Sequence, residues 1–227
     1  MIKNVIFDLD GTLLDTMNDM LLALNLAEEH VFGKKRLHNF KRGDGIFLYG
    51  NGQNVLVRRA LDMMRVYDEA KGQEFKETFF KLYEEKSNTR TRVYPGIVET
   101  LLALKERHIR CFIVSNKPIR ILTRAVKKYF TDGLIVDFVG NEEGLYLKPD
   151  ARALSPLVEK YDLKVSESLY VGDSLVDYEF AMNTKMKLCL VTYGYELKNN
   201  IHVLKNCYKV KDAFDIIEVV DQLNSFE

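Results

Sequence analysis

The amino-terminal stretch is Val5-Ile6-Phe7-Asp8-Leu9-Asp10-Gly11-Thr12, in which three apolar residues precede two carboxylates and a Gly-Thr pair. A short apolar run that ends in acids and a glycine is typical of a buried strand followed by a tight turn. In open α/β sheets, the loops at the carboxyl ends of the strands carry the chemistry. The stretch therefore predicts a first strand that delivers Asp8 and Asp10 to the functional edge of a parallel sheet.

From residue 93 onward, short strand-like runs alternate with helical patterns. The strand-like runs cover residues 109–114, 134–139, 168–171 and 187–192, and the helical patterns cover 119–130, 151–161, 175–184 and 213–223. Strands separated by helices of this length predict βαβ units in a parallel sheet.

Residues 15–90 have a different pattern, because helical spacing recurs there without a credible strand. Glycines at 43, 45, 50 and 52 separate the helical stretches, and Tyr94-Pro95-Gly96 marks the return to the alternating pattern. We therefore predict a core domain of residues 1–14 and 91–227, with a helical cap domain of residues 15–90 inserted after the first strand.

Composition narrows the functional classes. The 227 residues contain 33 Lys+Arg and 33 Asp+Glu, which gives no electrostatic reason to expect a nucleic acid or a membrane surface as partner. No apolar run approaches the length of a membrane helix, and early charges argue against a signal peptide. Three widely spaced cysteines and four scattered histidines predict neither a disulfide framework nor a zinc site. We expect a cytoplasmic protein with reduced thiols.

Chemistry-bearing residues follow four predicted strand ends. They are Asp8 and Asp10, then Ser115 and Asn116, then Lys148 after residues 144–147, and finally Asp173 and Ser174 with Asp177 one helical turn later. Because the ends of parallel strands lie along one edge, acids, a lysine and a hydroxyl are expected in one crevice.

These residue types suit phosphoryl transfer. A carboxylate can attack phosphorus, and clustered carboxylates bind Mg²⁺, which allows two anions to approach each other. Lys148 and the Ser115 hydroxyl would stabilise the equatorial oxygens of the transition state. Asp10 would protonate the leaving alcohol and then activate water, while Gly11 would let the chain turn around the phosphate.

Each of these residues also has an ordinary structural interpretation. Asp173 could cap a helix, and Asp177 could lie on the surface of its first turn. Lys148 could be a solvated loop residue, and Ser115-Asn116 could form a turn. It is improbable that all four segments would follow predicted strands by chance.

The order of the segments resembles the four motifs of the haloacid dehalogenase superfamily: Asp-x-Asp-Gly-Thr, a Ser/Thr, a Lys and Gly-Asp-x-x-x-Asp. The resemblance implies a Rossmann-like, three-layer α/β core with a parallel sheet and an inserted all-α cap. It implies Asp8 as nucleophile, Asp10 as acid and base, and Ser115 and Lys148 as catalytic phosphate binders. It also implies Mg²⁺ bound by Asp8, Asp10 and Asp173, with Asp177 and Ser174 in support.

Further segments resemble bacterial phosphoglycolate phosphatases. Gly50-Asn51-Gly52 resembles part of their cap, and Ser115-Asn116-Lys117-Pro118 and Thr192-Tyr193-Gly194-Tyr195 have counterparts there. After Lys148-Pro149 the family usually has another proline two residues on, and Ala151 stands in that place here. The resemblance implies hydrolysis of 2-phosphoglycolate by a monomer or homodimer, with a small phosphorylated metabolite as partner. Phosphate contacts are expected from Gly11, Thr12 and Asn116, and from Gly50, Asn51 and Gly52.

Other functions remain open at this stage. A different enzyme on the same scaffold would act on a sugar phosphate, a nucleotide or pyrophosphate, or would isomerise a phosphosugar. A receiver-type signalling module also uses Asp, Ser/Thr and Lys, but it is about one small domain long, and its phosphoacceptor follows a middle strand. A catalytically silent binding domain is a third alternative.

Overall fold

The computed structural model describes residues 1–34, 36–49, 52–195 and 204–225. These residues form two compact units. The first unit contains Met1–Asp15 and Val93–Glu227, and the second contains Thr16–Arg92. In the sequence, the second unit is therefore an insertion into the first.

The first unit is built on a parallel sheet. Its six strands are β1 (Asn4–Phe7), β4 (Arg110–Pro118), β5 (Asp137–Asn141), β6 (Ser168–Gly172), β7 (Lys187–Val191) and β8 (Tyr208–Val210). They are ordered β5-β4-β1-β6-β7-β8, and every neighbouring pair is parallel. A separate two-stranded sheet pairs β2 (Leu14–Asp15) with β3 (Arg92–Val93).

Helices cover both faces of this sheet. They are α5 (Ile97–Glu106), α6 (Ile119–Tyr129), α7 (Ser155–Tyr161), α8 (Leu175–Thr184) and α9 (Asp215–Ser225). Because successive side chains of a strand point to opposite faces, Val5 and Phe7 of β1 pack with apolar side chains of α5, α6 and α9. Ile6 packs on the other face with residues of α7 and α8. The predicted three-layer, Rossmann-like α/β fold is confirmed.

The second unit is helical over its described residues. It contains α1 (Met17–Phe32), α2 (Gly45–Leu48), α3 (Gln53–Met64) and α4 (Glu69–Lys86), with a 3₁₀ turn at Arg42–Asp44. The main packing is that of α1 against α4, where the Phe32 and Phe75 rings lie 6.3 Å apart and Phe75 and Phe79 are fully buried. The assignment of residues 15–90 as a cap stays a prediction.

Several predicted elements differ from the structure. Residues 144–147 form no strand, so Lys148 follows the loop after β5 rather than a strand of its own. The predicted strand at residues 134–139 lies at Asp137–Asn141 instead. The predicted helix at 151–161 begins as a 3₁₀ turn, Ala151–Leu154, before α7. A short apolar run predicts whether an element is a strand or a helix better than it predicts where the element ends. The ends of a strand depend on which residues pair with the neighbouring strands.

A buried carboxylate in the second unit ties the start of α1 to the end of the unit. Asp19 is 1% exposed and accepts hydrogen bonds from the backbone N–H groups of Arg90 (2.8 Å) and Thr91 (3.0 Å). It also accepts from the hydroxyls of Thr89 (2.9 Å) and Thr91 (2.6 Å).

We expect Asp19→Ala to lower the free energy of unfolding by about 2–4 kcal/mol, because the buried donors of Thr91 lose their acceptor. Urea denaturation monitored by circular dichroism measures this loss. As a control, Asp62→Ala removes an exposed aspartate of α3 and should change stability by less than about 0.5 kcal/mol. Equal effects of the two substitutions would contradict the role given to Asp19.

Candidate active site

Strand register brings the predicted site residues to one level of the sheet. Phe7, the last residue of β1, pairs with Ile113 of β4 and with Val171 of β6. Asp8 therefore follows β1 beside the end of β6, which leads directly into Asp173. Carboxylate oxygens of Asp8, Asp173 and Asp177 lie within 4.8 Å of one another.

A tight loop follows the first strand. The backbone N–H of Gly11 donates to the Leu14 carbonyl, and the N–H of Leu14 donates to the Leu9 carbonyl, each at 2.9 Å. Gly11 has φ +90°, and a Cβ there would lie 2.3 Å from Oδ2 of Asp173. A side chain at this position would therefore be strained and would displace the Asp173 carboxylate.

Lys148 lies between two of the carboxylates. Its Nζ is 2.9 Å from Oδ1 of Asp8 and 2.7 Å from Oδ1 of Asp177, and it donates to the Tyr170 hydroxyl at 2.8 Å. Burial would lower the pKa of this lysine, but Asp177 and Asp8 outweigh burial and raise it. Lys148 is therefore a fixed positive charge, and its interpretation as a solvated loop residue is wrong.

Asn116 positions the loop that carries Lys148. The Asn116 amide donates to the Lys148 carbonyl at 2.9 Å, and the Lys148 N–H donates to the Asn116 side-chain oxygen at 2.8 Å. These two hydrogen bonds fix the Lys148 backbone against β4 although no strand directly precedes Lys148. The peptide bond between Lys148 and Pro149 is cis. The buried Ser115 hydroxyl accepts from the N–H of Lys117 at 3.3 Å.

Asp177 supports the other groups through both of its oxygens. Oδ2 accepts from the N–H of Asp173 (3.1 Å), the N–H of Ser174 (3.0 Å) and the Ser174 hydroxyl (2.6 Å). Oδ1 accepts from Lys148 and from the Tyr170 hydroxyl at 2.8 Å. Although burial opposes ionisation, the Lys148 ammonium and these hydrogen bonds lower the pKa of Asp177.

The interpretations of Asp173 as a helix cap and of Asp177 as a surface acid are therefore wrong. Ser174 caps α8, because its hydroxyl accepts from the Asp177 N–H at 3.2 Å. Asp173 precedes the cap, and Asp177 is fully buried.

The Asp173 carboxylate is held by groups from two loops. Its Oδ1 accepts from the Thr12 hydroxyl at 3.2 Å, and its Oδ2 accepts from the Tyr195 N–H at 2.7 Å. Gly194 lies against the same carboxylate, since a Cβ there would be 2.3 Å from Oδ2. Sequence reasoning gave Gly194 and Tyr195 no role in the site, although the segment Thr192-Tyr193-Gly194-Tyr195 was the available signal.

Sequence reasoning also missed two buried polar residues. Tyr170 places its hydroxyl between Lys148 and Asp177, although its position in β6 predicts only a core residue. Lys117 donates from Nζ to both carboxylate oxygens of Asp10, at 2.8 and 3.2 Å. A lysine two residues after Ser115 was the available signal.

The remaining predicted contacts involve the second unit. Gly50 and Asn51 lie outside the described residues. Gly52 has φ 81° and precedes the first residue of α3.

The donor set fits a hard divalent cation. Burial, together with the nearby Asp177 and Asp10 carboxylates, raises the pKa of Asp8 to about 7 despite Lys148. Burial and the charges of Asp177 and Asp8 likewise raise the pKa of Asp173 well above its usual range. Asp8 and Asp173 are hard to ionise together unless a positive charge lies between them. Because they offer only oxygen donors, Mg²⁺ is a suitable cation.

Comparison with known proteins identifies the family. The haloacid dehalogenase-like hydrolase profile matches residues 5–191. The chain belongs to this family. It is 33% identical to a phosphoglycolate phosphatase of Photobacterium profundum, over 96% of both chains. It is 30% identical, with the same coverage, to a phosphoglycolate phosphatase of Vibrio vulnificus (strain YJ016).

A solved structure agrees with this assignment. The crystal structure of a predicted phosphoglycolate phosphatase from Haemophilus somnus 129PT superposes with a TM-score of 0.87 and 28% identity, covering 96% of this chain and 98% of that one. The predicted resemblance is therefore confirmed, as is the predicted class of enzyme, a hydrolase acting on phosphoric monoesters. Among the described residues, no helix is both long and apolar enough to cross a membrane.

The raised pKa of Asp8 predicts a stability effect. The pKa rises from 3.8 to about 7 on folding, so the folded state holds this proton more tightly than the unfolded chain. In metal-free protein, the contribution of Asp8 to stability is therefore lost as the pH rises from about 4 to about 7. We expect Asp8→Asn, which stays neutral, to melt higher than the parent at pH 8 by about 3–10 °C.

Thermal melts in a chelator at pH 8 and pH 5 measure this effect. The difference in Tm should be smaller at pH 5, where the parent is protonated. A variant that melts below the parent at pH 8 would contradict the interpretation of Asp8 as a destabilising charge.

Proposed function

We propose that this hydrolase is a Mg²⁺-dependent phosphatase of small phosphate monoesters, with 2-phosphoglycolate as its preferred substrate. The observation that carries the proposal is the geometry around Asp8. An oxygen of its carboxylate lies 2.9 Å from the buried Lys148 ammonium, and one of its oxygens lies within 4.8 Å of an Asp173 carboxylate oxygen. Asp8, Lys148 and Asp173 have the residue types of the corresponding positions in the family motifs.

The reaction would proceed in two steps through Asp8. In the first, an Asp8 oxygen attacks phosphorus, the bond to the leaving oxygen breaks, and Asp10 gives that oxygen a proton. In the second, Asp10 takes a proton from water while the water oxygen attacks the aspartyl phosphate. The bond from phosphorus to Asp8 then breaks, which regenerates the carboxylate and releases inorganic phosphate.

Lys148 and Ser115 would stabilise the transferred phosphoryl group. The ammonium is held by carboxylates on either side, so it would meet the developing charge without reorganising. The Ser115 hydroxyl would donate to one of the remaining oxygens. The backbone N–H groups of Gly11 and Thr12 already donate to the carbonyls of Leu14 and Leu9, so Gly11 would contribute by letting the chain turn beside the phosphate. The Thr12 hydroxyl, also predicted as a phosphate contact, donates to Asp173 and would act through that carboxylate.

Asp8, Asp173 and the backbone carbonyl of Asp10 would bind Mg²⁺. Asp177 would not, because both of its oxygens already accept from buried donors. When bound, the cation would neutralise the carboxylates and the phosphate so that the two anions can approach. The residues around it would keep the Asp173 carboxylate in one orientation.

The relatives carry the substrate assignment. Two phosphoglycolate phosphatases match this chain along nearly its whole length, at 30% and 33% identity. The helical unit, Thr16–Arg92, would serve as the cap that excludes bulk water during the first step. The cytoplasmic location and the monomeric or dimeric state stay predictions.

A panel of small phosphate esters with Mg²⁺ tests both the class and the substrate. We expect 2-phosphoglycolate to give the highest kcat/KM. We expect Asp8→Asn to lose turnover by on the order of a thousandfold or more, because it removes the nucleophile. Phosphate release measures both effects. Asp221→Asn, at an exposed aspartate paired with Arg107, is the matched control and should keep normal turnover.

The possible outcomes separate the alternatives. Higher kcat/KM for a sugar phosphate, a nucleotide or pyrophosphate would leave the mechanism in place and overturn the substrate. Isomerisation with little free phosphate would indicate a mutase. Normal turnover by Asp8→Asn would overturn the mechanism.

Removal of the cation tests the metal assignment separately. We expect exhaustive chelation to abolish phosphate release and added Mg²⁺ to restore it. We also expect Asp173→Asn to raise the Mg²⁺ concentration needed for half-maximal rate by at least about tenfold, because a ligand is weakened. Titration of the rate with Mg²⁺ measures this shift. Full activity after chelation would remove the metal from the mechanism.

A further inference from the structure

A buried lysine that is not one of the residues of the four superfamily motifs contacts Asp10, the proposed acid and base. Lys117 lies in β4 two residues after Ser115, and its side chain is 2% exposed. Its Nζ lies 2.8 Å from Oδ1 and 3.2 Å from Oδ2 of Asp10, whose side chain is 15% exposed. The register between β4 and β5 shifts between Val114 and Pro118, so Lys117 lies in an irregular end of the strand.

Burial of this ammonium needs a reason beyond packing. A buried charge is costly unless it is paired, and a well-packed apolar residue of similar volume is often at least as stable. Lysines at the edge of a sheet usually extend their ammonium into water. The Lys117 ammonium instead contacts Asp10. We therefore attribute this contact to the positioning of Asp10 and not to stabilisation of the fold.

Among the described residues, two buried lysines contact carboxylates of the site. Lys148 contacts Asp8 and Asp177, whereas Lys117 contacts both oxygens of Asp10. The two contacts fix the rotation of the Asp10 carboxylate, since turning it would break at least one of them. The orientation of the Asp10 carboxylate is therefore set by Lys117 through both oxygens.

We propose that Lys117 is a positioning residue that holds the Asp10 carboxylate in the orientation needed for proton transfer to the leaving oxygen. This inference rests on the proposed function, because it takes Asp10 as the acid. Lys117 itself forms no bond and transfers no proton in either step. Its effect is therefore specific to reactions in which the leaving oxygen needs a proton.

Comparison of leaving groups tests this inference in the full-length enzyme with Mg²⁺. An alkyl phosphate releases a strongly basic alkoxide that needs the proton of Asp10, whereas p-nitrophenyl phosphate releases a stable anion that does not. The measurement is kcat/KM, which covers the steps up to departure of the leaving group. Three substrates are used: 2-phosphoglycolate, ethyl phosphate and p-nitrophenyl phosphate.

We expect Lys117→Met to lower kcat/KM for both alkyl esters by up to about 100-fold, since a small misplacement of a catalytic group has effects of this size. For p-nitrophenyl phosphate we expect a loss of less than about threefold, because departure of this anion needs little general-acid help. Lys117→Gln, which keeps a shorter donor, should show the same pattern with a smaller loss. It also provides the test if Lys117→Met does not fold.

Two reference variants make the outcome specific. Asp10→Asn should show the same selectivity for alkyl esters, with a loss of about 10²–10⁴-fold. Lys160→Met removes a lysine that pairs with Asp137 at 2.7 Å on the surface, and it should lose nothing on any ester.

Four results would overturn the inference. Equal losses on all three esters would indicate that Lys117 has a structural or phosphate-binding role. A loss confined to 2-phosphoglycolate would indicate that Lys117 binds the substrate carboxylate. If Asp10→Asn loses activity equally on all three esters, the assignment of Asp10 as the acid fails together with this inference. If Asp10→Asn is selective for alkyl esters and the Lys117 variants are not, only the role proposed for Lys117 fails.

Discussion

The site depends on one buried ammonium, that of Lys148, held between the carboxylates of Asp8 and Asp177. Without it, three buried carboxylates would repel one another in a medium of low dielectric constant. Several neighbouring contacts hold Lys148 in place. Asn116 fixes the Lys148 backbone from both sides, and the Tyr170 hydroxyl joins the ammonium to Asp177. The order of the site therefore comes from charge pairing that the surrounding backbone enforces.

The pairing with Lys148 affects the pKa values of the three carboxylates differently. Asp177 is fully compensated, whereas burial and neighbouring carboxylates raise the pKa values of Asp8 and Asp173. Carboxylates that are hard to ionise without a counter-charge form a region that favours a cation and then a phosphate. Burial of these carboxylates costs local stability, and a ligand that binds only the folded state would offset that cost.

The packing of small residues explains why the arrangement is so tight. Gly11 and Gly194 lie against the Asp173 carboxylate at distances that no Cβ would tolerate. The Thr12 hydroxyl and the Tyr195 N–H then fix each of its oxygens. These four residues come from the first loop and from the segment after β7. Two distant parts of the chain thus meet on one carboxylate, and the parallel register of β1, β6 and β7 makes this possible.

The sequence by itself predicted the alternation of strands and helices and a helical insertion, and it selected Asp8, Asp10, Ser115, Lys148 and Asp173 as candidates for the site. Periodicity and residue chemistry are local properties, so they survive in a linear pattern. Only the tertiary structure decided the partners. Three contacts could not be predicted from nearby sequence, because each joins residues from separate strands or loops. They are the contact of Lys117 with Asp10, that of the Tyr170 hydroxyl with Lys148, and that of the Asn116 amide with the Lys148 backbone. Long-range register and the cost of burying an unpaired charge set these contacts, and neither can be determined from spacing along the chain.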